Sequence, residues 1–130
     1  MSSSTSYALG RAGEALAASY LKDQGFMITA RNYRSGVGEI DIIAENRETI
    51  LFVEVKLRRM GIGYAPREAV TADKRRRLLH ATKHFIYRSR TRLQPRFDVI
   101  EIIQNNDNDL KDAEVHWIQN AFGVSSDEFF

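Results

Sequence analysis

Gly38-Glu39-Ile40-Asp41-Ile42-Ile43 is followed, after a short polar gap, by Phe52-Val53-Glu54-Val55-Lys56. Both runs are rich in the β-branched and aromatic residues of buried strands, yet each carries an acid where a plain core would carry an aliphatic. Asn46-Arg47-Glu48 between them reads as a hairpin turn. On the second run, period-two alternation sets Ile50, Phe52, Glu54 and Lys56 on one face and Leu51, Val53, Val55 and Leu57 on the other. One face is wholly apolar and the other ends in a carboxylate and an ammonium, which suits a strand covered on both sides rather than a sheet edge. Asp41 poses a related problem, because a buried, unpaired carboxylate must take a proton, pair with a cation or bind a metal. The short hairpin sets Asp41 and Glu54 opposite or diagonal to one another, within reach of one ion. Glu39 shares the parity of Asp41 and reads as either a further ligand or an outward, solvated acid, with the solvated reading preferred.

Outward from this hairpin, residues 7–23 read as a helix ended by Gly25, and residues 27–33 as a strand before it. Gly10, Ala17, Ala18 and Leu21 share a helix face with Glu14, so this acid interrupts an apolar stripe whose small neighbours allow close approach to the sheet. Thr71 is a good N-cap for a second helix over 72–88, on which Lys74, Leu78, Ala81 and Phe85 share one face. Arg75, Arg76 and Arg77 fan outward from it. Residues 94–103 and 115–118 read as strands around an acidic, Asn-rich loop, with Trp117 in the core. The order of helix, three strands, helix and strands predicts one α/β domain over 1–130, its sheet covered by two helices. Its ends, 1–6 and 124–130, are expected to fray unless Phe129 and Phe130 dock the tail.

A chain of 130 residues, 43% of them hydrophobic, has room for one real core. It has no cysteine, which excludes disulfides and thiolate metal sites. The polar start lacks the layout of a secretory signal, and no apolar run reaches bilayer length, so a soluble, cytoplasmic protein with no membrane partner is expected. The net charge of +2 conceals an asymmetry: residues 56–96 carry thirteen Lys or Arg against two acids, whereas residues 97–130 carry one against eight. Such a basic block draws phosphate backbones, or forms a solvated face balanced by the acidic tail.

Glu14, Asp41 and Glu54, with Lys56 beside the last, form a set of hard oxygen donors that favours Mg²⁺ or Mn²⁺. Such an ion polarises a phosphodiester and lowers the pKa of bound water, and a nearby lysine orients that water or stabilises the developing charge.

The acid and the acid-x-Lys thirteen residues on (Asp41, Glu54, Lys56) resemble the PD-(D/E)xK nuclease superfamily, and the helix acid Glu14 resembles its archaeal Holliday junction resolvases. An ordered series spans nearly the whole chain: Gly10-Arg11-Ala12-Gly13-Glu14, Asn32-Tyr33-Arg34, Gly38-Glu39-Ile40-Asp41, Phe52-Val53-Glu54-Val55-Lys56, Ala69-Val70-Thr71, Lys74, Arg96-Phe97-Asp98-Val99 and Asn120-Ala121-Phe122. This series is similar to the YraN family of bacterial proteins. The chain departs from these patterns in lacking a proline before Asp41, in having Ser35-Gly36-Val37 where family members often carry a basic residue, and in Leu57 after the lysine. The resemblance implies a restriction-endonuclease-like core with a central mixed sheet, acting as a metal-dependent endonuclease on DNA, structure-selective and homodimeric, with an RNA-processing nuclease that shares the same site as an open alternative. It implies Glu14, Asp41 and Glu54 as metal ligands and Lys56 as base or charge stabiliser, with Arg58, Arg59, Lys74, Arg75, Arg76 and Arg77 on the nucleic-acid backbone. The alternative is a non-catalytic nucleic-acid-binding or scaffold protein that keeps the fold, its acids forming an ion-pair network with Lys56 and Lys74.

Overall fold

The computed structural model describes residues 3–59, 71–106 and 109–121. The order is α1 (Ser3–Asp23), β1 (Met27–Arg34), β2 (Glu39–Glu45), β3 (Thr49–Arg59), α2 (Ala72–Ser89), β4 (Gln94–Gln104) and β5 (Glu114–Ile118). The expected elements are all present, with ends moved by a few residues. The largest change is at α1, which begins at Ser3, inside the stretch expected to fray. Ser and Thr lose only a few tenths of a kcal/mol to better helix formers, so an established helix runs through them. The tail over 124–130 and the motif residues Ala69, Val70 and Phe122 lie outside the described residues.

The five strands form one mixed sheet in sequence order. β1, β2 and β3 are antiparallel neighbours, β3 and β4 are parallel, and β5 returns antiparallel to β4. The parallel step needs a crossover, and α2 lies in it. Asn46 closes the β2–β3 turn, its side-chain oxygen accepting from the backbone N–H groups of Glu48 and Thr49 at 2.9 and 2.8 Å. Thr71 caps α2 as the sequence predicts, accepting from the Lys74 N–H at 3.1 Å.

Each sheet face buries its own core. Ala17, Ala18 and Leu21 of α1 pack with Ile42, Ala44, Leu51, Val53, Ile100 and Ile102. Leu78, Ala81 and Ile86 of α2 pack with Ile40, Ile43, Ile50, Phe52 and Phe97 on the opposite face. Ile40 and Ile42 therefore face opposite helices although two residues apart on one strand. The strand turns over at Asp41. Its neighbour does the same, for Asn32 has φ of 53°, and Arg31 and Tyr33, which pair with Ile42 and Ile40, point to α1 and α2 respectively. Asparagine is among the few non-glycine residues that accept this left-handed conformation. Strict alternation stops at the two positions nearest the acids.

The β1–β2 connection passes close under α2. Gly38 donates to Ser35 Oγ at 3.1 Å and its carbonyl accepts from the Ser35 N–H at 3.0 Å, while Ser35 Oγ also meets His80 Nδ1 at 2.9 Å. A Cβ added at Gly38 would lie 2.0 Å from the Arg77 carbonyl oxygen, so this position needs glycine for space. Gly38→Ala must push the loop and α2 apart, and an expected loss of about 1–3 kcal/mol follows from such overpacking. Urea unfolding checks this; an unchanged midpoint would mean that α2 lifts without loss of packing. Among the described residues, no helix is long and apolar enough to cross a membrane.

Candidate functional site

Asp41, at the turnover of β2, does not continue the backbone ladder. The β2–β3 register runs from Glu45↔Ile50 to Ile42↔Val53, and beyond it Asp41 Oδ2 accepts the Val55 N–H at 2.8 Å. A side-chain oxygen here takes the place of a strand carbonyl, which holds the carboxyl against β3 and lets the two strands part. Burial raises the Asp41 pKa to about 6 from the ordinary 3.8. The Val55 N–H opposes that rise, and the negative charges of Glu14, Glu54 and Glu39 add to it.

Glu54, on the α2 face of β3, is buried. Its Oε1 meets Lys56 Nζ at 3.3 Å and is in closer contact with Lys74 Nζ, which reaches down from the first turn of α2. Among the described residues, its Oε2 is buried without a hydrogen-bond partner. Two ammonium groups thus crowd one oxygen while the other is left bare. Burial, followed by the neighbouring Lys74, pulls the Lys56 pKa below its ordinary value. Burial acts the same way on Lys74, but its contacts with Glu54 and Lys56 carry its pKa upward.

Glu14 reaches this region from α1, on the other face. Among the described residues, its Oε1 is also buried without a hydrogen-bond partner and pairs with Arg31 Nη2 at 4.0 Å. Asp41, Glu54 and Lys74 line one cavity of about 630 Å³ with Arg77 and Glu39. Glu14 lines the neighbouring hollow of about 310 Å³, and Arg34 and Glu39 belong to both. Glu39 is exposed and pairs with Arg34 at 3.6 Å. Asp41 senses acids from both faces because the strand turns over at that residue. Among the described residues, no three His, Cys, Asp or Glu side chains already surround one point as metal ligands would.

The basic residues are spread more widely. Lys74 and Arg77 line the cavity, and Arg77 also pairs with Asp73 at 2.7 Å, as does Arg76 from the exposed side. Arg75 is half-buried, Arg59 is exposed, and Arg58 is mostly buried against Glu101 at 3.4 Å. Glu101 was not singled out from the sequence. It is buried and sits beside Lys56 in the parallel β3–β4 register. The signal was available, for Val99-Ile100-Glu101-Ile102-Ile103 is another apolar run interrupted by an acid. Asp98 belongs to the same strand and is wholly used by the fold. Arg96 donates to both of its oxygens at 2.9 and 2.8 Å, Trp117 Nε1 to one at 2.8 Å and the Asn120 N–H to the other at 2.9 Å. Trp117 is held there with Tyr20 and Phe26 edge-to-face at about 6 Å, which makes it a packing residue as the sequence predicts.

Residues 13–102 match the model of the family described as "Uncharacterised protein family UPF0102". The chain belongs to the UPF0102 family. A UPF0102 protein of Syntrophotalea carbinolica is 48% identical over 118 residues, covering 89% of this chain and 92% of that protein. Another, from Caldicellulosiruptor saccharolyticus, is 43% identical over 116 residues, covering 88% and 96%. A third, from Porphyromonas gingivalis, is 40% identical over 113 residues, covering 87% and 82%. The span matched by the UPF0102 model runs from α1 into β4, so it contains Glu14, Asp41, Glu54, Lys56 and Lys74 and ends before Trp117.

Proposed function

We propose that this chain is a metal-dependent DNA endonuclease of the PD-(D/E)xK superfamily, with a restriction-endonuclease-like core and resolvase-like, structure-selective action as a homodimer. The observation that carries this reading is a pair of buried carboxylate oxygens without hydrogen-bond partners among the described residues, on Glu14 and Glu54, flanking an Asp41 carboxyl whose proton affinity is raised by burial and then by the neighbouring acids. Buried anionic oxygens are costly unless a cation meets them. An all-oxygen donor set of this kind fits Mg²⁺ or Mn²⁺. Glu14, Asp41 and Glu54 would hold the ion, which when bound supplies Lewis-acid polarisation of the phosphodiester and a more acidic water.

The chain's own residues supply the rest. Lys56 Nζ, whose proton is held less firmly than in an ordinary lysine, takes a proton from the attacking water or donates to the charged phosphate. Lys74 and Arg77, which face the cavity, orient the phosphate from the α2 side. The Val55 N–H fixes the Asp41 carboxyl, so that this ligand is placed before substrate arrives.

A second reading has its own observation. Glu54 already carries two lysines, which is what a scaffold protein would retain after losing the metal. One assay separates them: incubation of duplex, single-stranded, flap and four-way-junction DNA, and matching RNA, with and without Mg²⁺. The proposal expects cleavage that needs the ion and favours branched DNA. No cleavage of any substrate, with no Mn²⁺ binding, would establish the scaffold reading.

A further inference from the structure

We infer that Lys74 is an exchangeable counter-ion, holding Glu54 while the acids lack a divalent cation and passing to a substrate phosphate when one binds. The inference rests on the metal-dependent reading above and names the residue that couples metal to substrate.

Glu54 is satisfied unevenly at its two oxygens. Both lysine ammonium groups meet Oε1, with Lys56 at 3.3 Å and Lys74 closer, and among the described residues Oε2 is buried without a hydrogen-bond partner. A carboxylate built into a permanent network looks different in this same molecule, for four donors divide between the two oxygens of Asp98. Glu54 is therefore supplied with charge but not with geometry, and one ammonium is surplus. Lys56 lies two residues along the same strand, and strand spacing fixes its reach to Glu54. Lys74 is different. It stands on α2 and lines the cavity shared with Arg77 and Asp41, whereas Lys56, with an equally exposed side chain (34% against 35%), is not among the residues lining that cavity. Its four-carbon stem gives the ammonium several positions within that space. It also sits in the first helical turn, where the helix dipole disfavours a cation, so the Glu54 carboxylate is what holds it there. A doubly charged ion on the Glu54 oxygens removes that hold. The released ammonium would then face the cavity, where it would donate to the anionic oxygens of a bound phosphodiester.

The test is calorimetric Mn²⁺ titration of the full chain as wild type, Lys74→Met, Lys74→Arg and Arg77→Met. Removing the competing cation should tighten Mn²⁺ binding roughly tenfold in Lys74→Met, the factor that about 1.4 kcal/mol corresponds to. Lys74→Arg keeps a cation and should bind as the wild type does, and Arg77→Met, which removes an equal charge without contacting Glu54, should change binding far less. A duplex oligonucleotide followed by fluorescence anisotropy in Ca²⁺ gives the second half: Lys74→Met should lose affinity relative to wild type with the ion present and lose little in its absence. Should Lys74→Met fail to fold, Lys74→Gln carries the same comparison. Equal Mn²⁺ affinity in wild type and Lys74→Met would overturn the exchange while leaving the metal site standing, and equal tightening in Arg77→Met would reduce it to a general field effect. Absence of Mn²⁺ binding in every variant would overturn the metal reading and this inference together.

Discussion

Replacing Asp98 by alanine is expected to cost the fold about 3–5 kcal/mol, the range for removing one member of a buried charged pair. Asp98 is 1% exposed and is the common acceptor for the Arg96 guanidinium, the Trp117 indole N–H and the Asn120 backbone N–H. Alanine leaves all three donors facing a void. The loss should spread to β5, because Trp117 and Asn120 tie that strand and the turn after it to β4. Asp98→Asn keeps one acceptor and the side-chain volume, so its expected loss is smaller, about 1–3 kcal/mol. Urea unfolding with tryptophan fluorescence reads both stability and the Trp117 environment. For a domain whose total stability lies in the region of 5–15 kcal/mol, Asp98→Ala takes a large share. A loss below about 1 kcal/mol would show that β4 and β5 are held by apolar packing and not by this carboxylate.

Asp41→Asn should have the opposite effect on stability and a larger effect on chemistry. Burial and the nearby acids raise the folded Asp41 pKa to about 6 from 3.8. The folded chain thus binds this proton more tightly than the unfolded chain does, and wild-type stability falls as pH rises from about 4 to about 6. Asparagine has no such proton, so the variant and wild type should be equally stable below about pH 4 and diverge above it. By pH 8 the variant should be the more stable, by up to roughly 3 kcal/mol in metal-free buffer, since each pKa unit is worth about 1.36 kcal/mol. The amide oxygen still accepts from Val55, so the strand geometry survives. Cleavage should fall by at least about 10²–10³, the typical loss when one preorganised electrostatic contact is removed, and the stabilisation that Mn²⁺ gives the wild type should disappear. Thermal melts from pH 3.5 to 8 with and without Mn²⁺ decide the matter. A variant less stable than the wild type at pH 8, with a wild type indifferent to Mn²⁺, would place Asp41 in a structural ion-pair network.

Local signals carried much of this structure. Thr71 before Ala72, Gly25 after α1 and Asn46 in the β2–β3 turn each act through chemistry within a few residues, and each stands where the sequence predicts. Glu54 and Asp41 were legible as acids inside apolar runs, and both line the cavity. The turnover at Asn32 and Asp41 was not legible, because simple alternation assumes a flat ladder, and this one is broken by a side-chain-to-backbone bond across two strands. That break decides how Glu14 stands to the others. Convergence of all four groups on one pocket is the expectation from strand parity and helix phase; in the structure Asp41 and Glu54 line one cavity, Lys56 meets Glu54 without being among the residues that line it, and Glu14 occupies an adjoining hollow and acts on Asp41 from the α1 face. The contacts of Asp98 with Trp117 and Asn120, and that of Arg58 with Glu101, were hidden for a different reason. They come from β5, the turn after it and β4, and no local pattern announces contacts at such separation.

The most direct test of the central claim, that Glu14, Asp41 and Glu54 share one divalent cation, is the anomalous scattering of Mn²⁺ soaked into crystals of this protein. The account predicts one strong peak bounded by carboxylate oxygens of these three residues, with Lys74 Nζ moved away from Glu54. Lys74 still on Glu54 and no peak among the three acids, at Mn²⁺ concentrations in large excess over the protein, would contradict it.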